Sequence, residues 1–373
     1  MKFFLSDCLR SAFPIALFNK VMTRKKYTAA IIGLGRIGFS LGFDFKREQP
    51  ASHTMALKKN NRIKLIAGCD SSGTRLAYWH RFNKKCGAYS DCDCLFAAIK
   101  PDIAVVAVNE ISHNDTVLAA IRAKPRLVIL EKPVALTMEE GLQILAESES
   151  LKVPVLVNHE RRFAEDYKIA KKYMQEIGEI QTVNARLDSG LYVYNPEKEQ
   201  TGEYSLLHDG THLVDIVSYL LEEKTSSELP DEPVLKNMNI SNITYDKKNP
   251  AVVRNINVHF ESKKCSDVNI FMSGRSRFFG FEVEVVGTEG RFRIGNGIYE
   301  FQKRAESKLY SGFYSLTDDK KVKIPKKTKY FSNMVENAVQ FLDGKEHLRS
   351  TLQTGLNSLS ILENIKNHIK ATV

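Results

Sequence analysis

The hexapeptide Gly33-Leu34-Gly35-Arg36-Ile37-Gly38, placed directly after the apolar run of residues 27–34 (YTAAIIGL), constrains the fold more than any other feature of this chain. The apolar run suits a strand buried on both faces. In G-x-G-x-x-G, Gly33 permits the tight turn and Gly35 lets the backbone approach a pyrophosphate. Gly38 lets the next helix pack close to the strand. A phosphate at such a turn meets free N–H groups and the positive end of a helix. The strand before the turn and the apolar Ile37, Phe39 and Leu41 after it favour a dinucleotide site, lined also by Arg36 and Ile37, over a plain structural turn.

A second strand, Ile63–Cys69, ends at Asp70. An acidic residue there accepts hydrogen bonds from an adenosine ribose and disfavours a 2′-phosphate, which favours NAD over NADP. The spacing exceeds the roughly 20 residues usual for this motif, so the stretch from Asp44 to Asn61 reads as an inserted loop. Arg75, with Ser71 and Ser72, keeps NADP open. The alternative reading of Asp70 is an N-cap for a helix at Ser71–His80.

The 373 residues are enough for two domains with substantial cores. With 54 Lys+Arg against 44 Asp+Glu, the net charge is 54 − 44 = +10. The charges are scattered and no basic-aromatic RNA motif appears. This argues against nucleic acid and for a surface that favours anionic small molecules. Six cysteines show no disulfide-like framework, as in a reducing compartment. Cys92 and Cys94 look like a metal pair. However, Ser90-Asp91-Cys92-Asp93 fits a capping box, and positions two apart on a helix do not share a face, so no metal is expected. Residues 1–26 are apolar and basic, but Asp7 and Arg10 interrupt the apolar run and no clear cleavage site follows. They read as a surface extension of a cytoplasmic protein with no membrane span.

Strand and helix patterns alternate from residue 27 to 157. Strands are expected at Ile103–Val108, Leu127–Leu130 and Val153–Val157. Helices are expected at Ser112–Ala123, with Ser112 as its cap, and from Thr137-x-x-Glu140 to about Ser150. This alternation implies an α/β Rossmann domain with a doubly wound parallel sheet. From residue 158 to 373 the pattern changes to an α+β domain with an open, mostly antiparallel sheet: a helix at Phe163–Ile177, strands at Val183–Leu187, Val252–Phe260, Asp267–Ser273, Phe281–Val286 and Arg291–Ile294. The stretches 222–233 and 302–327 read as polar loops. Helices near Tyr330–Asp343 and Thr351–Lys370 close the chain and are free to pack back on the first domain.

Taken together, GLGRIG, AGCD, EKPVALTMEEG, NHERRF, HDGTHLVDIVSYL and VVGTEGRFRI make the chain resemble the glucose-fructose oxidoreductase / inositol dehydrogenase / MocA family over most of residues 27–370. The resemblance implies NAD(P)-dependent hydride transfer on a secondary alcohol or ketone of a sugar, polyol or nucleotide sugar. It also implies assembly as a homodimer or homotetramer through the open sheet. The lysine of EKP maps onto Lys132, which sits in such enzymes near the reacting hydroxyl and the nicotinamide, where an amine can shuttle a proton or polarise a carbonyl. Glu131 beside it is a candidate cofactor contact, and a cis bond before Pro133 would rigidify the loop. The family's histidine on the second-domain helix maps onto His212. The aspartate four residues before it maps onto His208, a departure from the pattern. Asp209 is adjacent, about 100° away on the helix, and is a candidate substrate contact. His212 is the first choice for proton transfer, with His208 orienting it or binding substrate. A zinc site on the two histidines is the alternative, but no H-E-x-x-H pattern accompanies them. Asn109 and Glu110 stand where relatives usually have A-T-P-N, while His113 matches their later histidine. Asn109 and His113 are therefore candidate cofactor contacts. Arg161 and Arg162 either hold an anionic substrate group or pair with carboxylates at the domain junction, the latter being expected for one of them. A non-catalytic cofactor-binding sensor or scaffold is the rival reading, motivated by His208.

Overall fold

A computed structural model describes residues 26–191, 193, 197, 199, 204–223 and 233–372. The expected extension lies outside the described residues except for Lys26, as does most of the expected loop at 222–233.

The first sheet and its helices run β1 (Tyr27–Ile32), α1 (His53–Lys59), β2 (Ile63–Cys69), α2 (Gly73–Phe82), β3 (Gly87–Tyr89), α3 (Cys92–Ala98), β4 (Ile103–Val106), α4 (His113–Arg122), β5 (Leu127–Leu130), α5 (Met138–Leu151) and β6 (Val155–Val157). The six strands are parallel in the order β3-β2-β1-β4-β5-β6. This is the doubly wound order, with its switch point between β1 and β4. Every residue of β4 and β5 is buried, which is why both appear in the sequence as unbroken apolar runs.

Several local expectations are corrected. No α-helix follows the glycine turn. Successive turns lead into a 3-10 helix at Ser40–Phe43, and the supposed inserted loop contains α1. The backbone explains this: His53 N donates to Ile37 O and Thr54 N to Gly38 O, each at 3.0 Å, so α1 takes carbonyls that a helix from the glycine turn would have used. Ser72, not Asp70, caps α2, and Asp91, not Ser90, caps α3. Asn109 caps a 3-10 turn at Glu110–Ser112, and Ser112 makes no side-chain cap to α4. Thr137 caps α5 as expected.

The second layer consists of α6 (Glu165–Tyr173), β7 (Ile180–Gly190), α7 (Ser205–Leu221), β8 (Lys236–Tyr245), β9 (Val253–Ser262), β10 (Cys265–Ser273), β11 (Arg275–Gly287), β12 (Gly290–Gly295), β13 (Ile298–Glu306), β14 (Tyr314–Asp318), α8 (Tyr330–Leu342) and α9 (Leu352–Thr372). Its eight strands lie in the order β14-β13-β12-β11-β7-β10-β9-β8, with only β7 and β10 parallel among the pairs. The stretch 302–327, expected as a loop, holds the end of β13 and all of β14. Every residue of β14 is exposed, so no buried face writes an alternation into its sequence.

Helix α7 packs against this sheet through Leu206, Leu213, Val217 and Leu220. Helix α8 packs against the first sheet through Phe331, Met334, Val335 and Ala338. Just after it, Asp343 accepts from the Tyr27 hydroxyl at 2.7 Å and from Arg62 Nη2 at 2.8 Å, which ties the chain end to β1. Helix α9 spans both cores: Leu352 and Leu356 join the first, Leu362 and Ile365 the second. Among the described residues, no helix is long and apolar enough to cross a membrane.

Candidate functional site

The glycine turn opens onto a cleft of about 770 Å³ at the switch point, lined by Gly33, Gly35, Arg36, Ile37, Asp70, Arg75, Asn109 and Lys132 among others. Gly33 has φ +94°, and a Cβ there would lie 2.4 Å from the Ala107 carbonyl carbon. Only glycine turns the chain so close to β4. Gly38 does not line the cleft. Its missing Cβ would sit 2.0 Å from Gly33 O, so it serves close packing of the turn. Gly35 has nothing within 4 Å of its Cβ position, leaving space against the bare backbone. A pyrophosphate fits that cradle, and these residues would hold a dinucleotide across the turn.

Asp70 closes one end. Its Oδ2 accepts from Leu34 N at 2.8 Å and its Oδ1 from Ser72 N at 2.8 Å, while Arg75 Nε lies 3.0 Å from both oxygens. Burial pushes this carboxyl upward. The Arg75 guanidinium and the two backbone donors outweigh it and leave the group below its ordinary range.

The loop after β5 carries Glu131-Lys132-Pro133, and the Lys132–Pro133 peptide bond is cis. Glu131 turns inward. Its Oε1 lies 2.6 Å from His53 Nε2 and accepts from Asn158 Nδ2 at 2.6 Å. Burial pushes its carboxyl up, but the His53 and Asn158 contacts hold it below the carboxylate norm. His53 was invisible to sequence reasoning, because it sits in the segment read as an inserted loop. His113 Nδ1 lies 2.7 Å from Pro133 O and Nε2 3.3 Å from Val108 O, and burial keeps this imidazole below its usual range. It thereby anchors the loop from the side.

Lys132 instead faces outward, on the wall shared by the cofactor cleft and a second cleft of about 940 Å³. This second cleft is bordered by His208, Asp209 and His212 of α7, by Ser189 and Gly190 of β7, and by Phe279 of β11. Lys132 Nζ lies 3.2 Å from His208 Nε2, and His208 Nδ1 lies 2.6 Å from Glu110 Oε2. Burial raises the Glu110 carboxyl, but the His208 hydrogen bond and the charges of His208, Lys132 and His113 bring it below normal. His212 is driven well below its usual value by burial and by Lys132, Arg161, His159 and His208, so it is neutral at neutral pH.

The two arginines separate as expected for one of them. Arg162 is buried, donating through Nε to Asp215 at 2.9 and 3.0 Å and through Nη1 to Glu222 at 3.1 Å. The aspartate of THLVD thus anchors α7 to the NHERRF turn. Arg161, expected at the substrate, lies 3.8 Å over the Phe281 ring and 3.3 Å from Glu160, and it is not among the residues that line the cleft. Among the described residues, no three His, Cys, Asp or Glu side chains gather as a metal site.

Residues 27–159 match the model of an oxidoreductase family with an NAD-binding Rossmann fold, Gfo/Idh/MocA. Over those residues the chain is similar to the Gfo/Idh/MocA oxidoreductases. It is 27% identical over 213 residues to D-glucoside 3-dehydrogenase of Escherichia coli (strain K12), covering 54% of this chain and 56% of that one. It is 28% identical over 204 residues to glucose-6-phosphate 3-dehydrogenase of Bacillus subtilis (strain 168), covering 52% and 57%. The matches therefore span little more than half the length of these curated relatives. The whole fold resembles that of an oxidoreductase from Agrobacterium radiobacter solved in complex with NAD+, L-tartaric acid and magnesium: TM-score 0.70, 17% identity, 91% of this chain and 95% of that one. Among Gfo/Idh/MocA oxidoreductases the Rossmann unit binds NAD, and the open glycine cradle found here suits that ligand.

Proposed function

We propose that the protein is an NAD(P)-dependent dehydrogenase or reductase acting on a secondary alcohol or ketone of a sugar, polyol or nucleotide sugar. The observation that carries this is the position of Lys132 on the wall common to the two clefts, with His208 and His212 beside it. Bound nicotinamide supplies the hydride donor or acceptor. Lys132 holds the proton of the reacting hydroxyl. His212, kept neutral, accepts or donates a hydrogen bond to the same sugar without adding charge beside a cationic ring. Asp209, Ser189 and Asn158 border the cleft with further hydrogen-bonding groups suited to a polyhydroxylated ligand. The printed names of both curated relatives describe oxidation of a glucose-type substrate at position 3, which supports a ring hydroxyl as the reacting group.

The test is a thermal-shift panel of glucosides, inositols and nucleotide sugars with saturating NADH, followed by NADH absorbance with the compounds that raise the melting temperature. At least one sugar that both stabilises the protein and turns over is expected. Strong stabilisation by NADH, with no sugar adding to it and none turning over, would overturn the reading.

A further inference from the structure

We propose that Glu110 is a positioning residue that makes His208 the proton partner of Lys132, so that the carboxylate beside the catalytic lysine acts through a histidine and comes from the turn after β4. This rests on the reading of Lys132 given above. The geometry dictates the tautomer. A lysine ammonium has only donors, so at 3.2 Å it must give a proton to His208 Nε2. The other ring nitrogen, 2.6 Å from a carboxylate that only accepts, must then carry the hydrogen. Glu110 is held in the ionised form this requires. His208 is 43% exposed at its side chain, so a proton on it has a route to water.

The proton balance is complete. One ammonium proton of Lys132 moves to His208 Nε2, giving an imidazolium beside Glu110 and a neutral amine. The amine would take the hydroxyl proton, and with a bound nicotinamide as hydride acceptor the carbinol C–H would supply the hydride and the C–O bond would become C=O. The imidazolium then releases its proton to solvent. Other charged or titratable groups border the same clefts: Glu131 just after β5, His113 at the start of α4, Asp209 and His212 on α7, and Lys366 on α9.

The experiment is imidazole nitrogen NMR of the full chain in mildly alkaline solution, with His208 assigned by His208→Gln. In the wild type the proton is expected on Nδ1. In Glu110→Ala, where Nδ1 loses its acceptor, the ring is expected to shift towards the Nε2–H form, whereas in Lys132→Met the Glu110 carboxylate still holds the proton on Nδ1. With NAD+ and methyl glucoside as probe, Glu110→Gln is expected to lower kcat roughly tenfold to hundredfold with little change in KM, and Glu110→Asp to recover part of it. An Nε2–H ring in the wild type, or a ring unmoved by Glu110→Ala, overturns the proposal even if the probe is oxidised. The expected tautomer, lost in Glu110→Ala, upholds the cluster even if the probe is not a substrate, in which case only the functional reading fails.

Discussion

Helix α7 presents charged or titratable groups at two places, and the fold treats them in opposite ways. At Asp215 the carboxylate faces inward, with side chains of Arg162 and Asp215 both 2% exposed, and Ser358 Oγ at 3.4 Å adds a further donor. Two turns earlier, His208 meets Lys132 and Glu110 at the edge of a cleft, with 43% of its side chain in solvent. Both places belong to recognisable motifs, and both join cationic and acidic groups. Only at Asp215 are the partners sealed from water and fixed in number. A charge held that way has no proton to exchange and serves as a strut. The cluster at His208 has acceptors and donors that rearrange when one proton moves, which is the property a proton-transfer site needs.

The largest expected effect breaks the open cluster. Lys132→Met keeps length and removes the amine, so turnover of a sugar substrate should fall by roughly 10²–10⁴. NADH should still raise the melting temperature by the same amount, because the glycine cradle is untouched. Turnover within a few-fold of wild type would mean that Lys132 does not handle the proton.

Breaking the sealed pair should show in stability instead. Asp215→Ala leaves the Arg162 guanidinium buried without its main partner and should cost about 3–5 kcal/mol in denaturant unfolding. An unchanged midpoint would show that water reaches Arg162 and that the contrast between the two places is false. Protonation probes the same interior more gently. His159 Nδ1 lies 3.4 Å from Asp215, and burial lowers this imidazole from 6.5 to about 4. Because the folded value is depressed, the unfolded chain binds the proton first. Stability is therefore full above about pH 6.5 and declines as pH falls towards 4. The loss should approach roughly 3 kcal/mol, and in His159→Gln this part of the acid slope should flatten.

The contrast also explains what the sequence discloses. Strands buried on both faces, such as Leu127–Leu130, are contiguous apolar runs, and the half-buried β9, β10 and β11 alternate, so both classes are readable. Gly87–Tyr89 is too short to carry a pattern, and β14 buries nothing that would impose one. Within the site, Lys132, His208 and His212 were legible because they stand in motifs. The inward turn of Glu131 was not, since its partner His53 lies 78 residues away in a segment that the long spacing disguised as a loop. Glu110 was visible only as a departure from the family's pattern. Its partnership with His208 depends on how the turn after β4 and α7 face each other across the cleft, which spacing along the chain does not encode.

The smallest effect sharpens the comparison at an intermediate case. Asp70 and Arg75 form an ion pair in which one partner is sealed and the other is not: their side chains are 4% and 55% exposed. The carboxylate is fixed by Leu34 N and Ser72 N whether or not the arginine is present. The arginine, held only from one side, is free to swing towards a ligand phosphate. Arg75→Ala should therefore leave NADH binding within a few-fold, because Asp70 keeps its place and gains a free edge for the ribose hydroxyls. NADPH binding should weaken by about tenfold, the loss of one solvent-exposed charge-assisted contact of ~1.4 kcal/mol. Calorimetric titration of both cofactors against the wild type and the variant checks this. Equal losses for the two would mean that Arg75 acts by holding Asp70 in place, as Arg162 does for Asp215. A loss confined to NADPH would place Arg75 with Lys132 among the groups the fold has left free to meet a ligand.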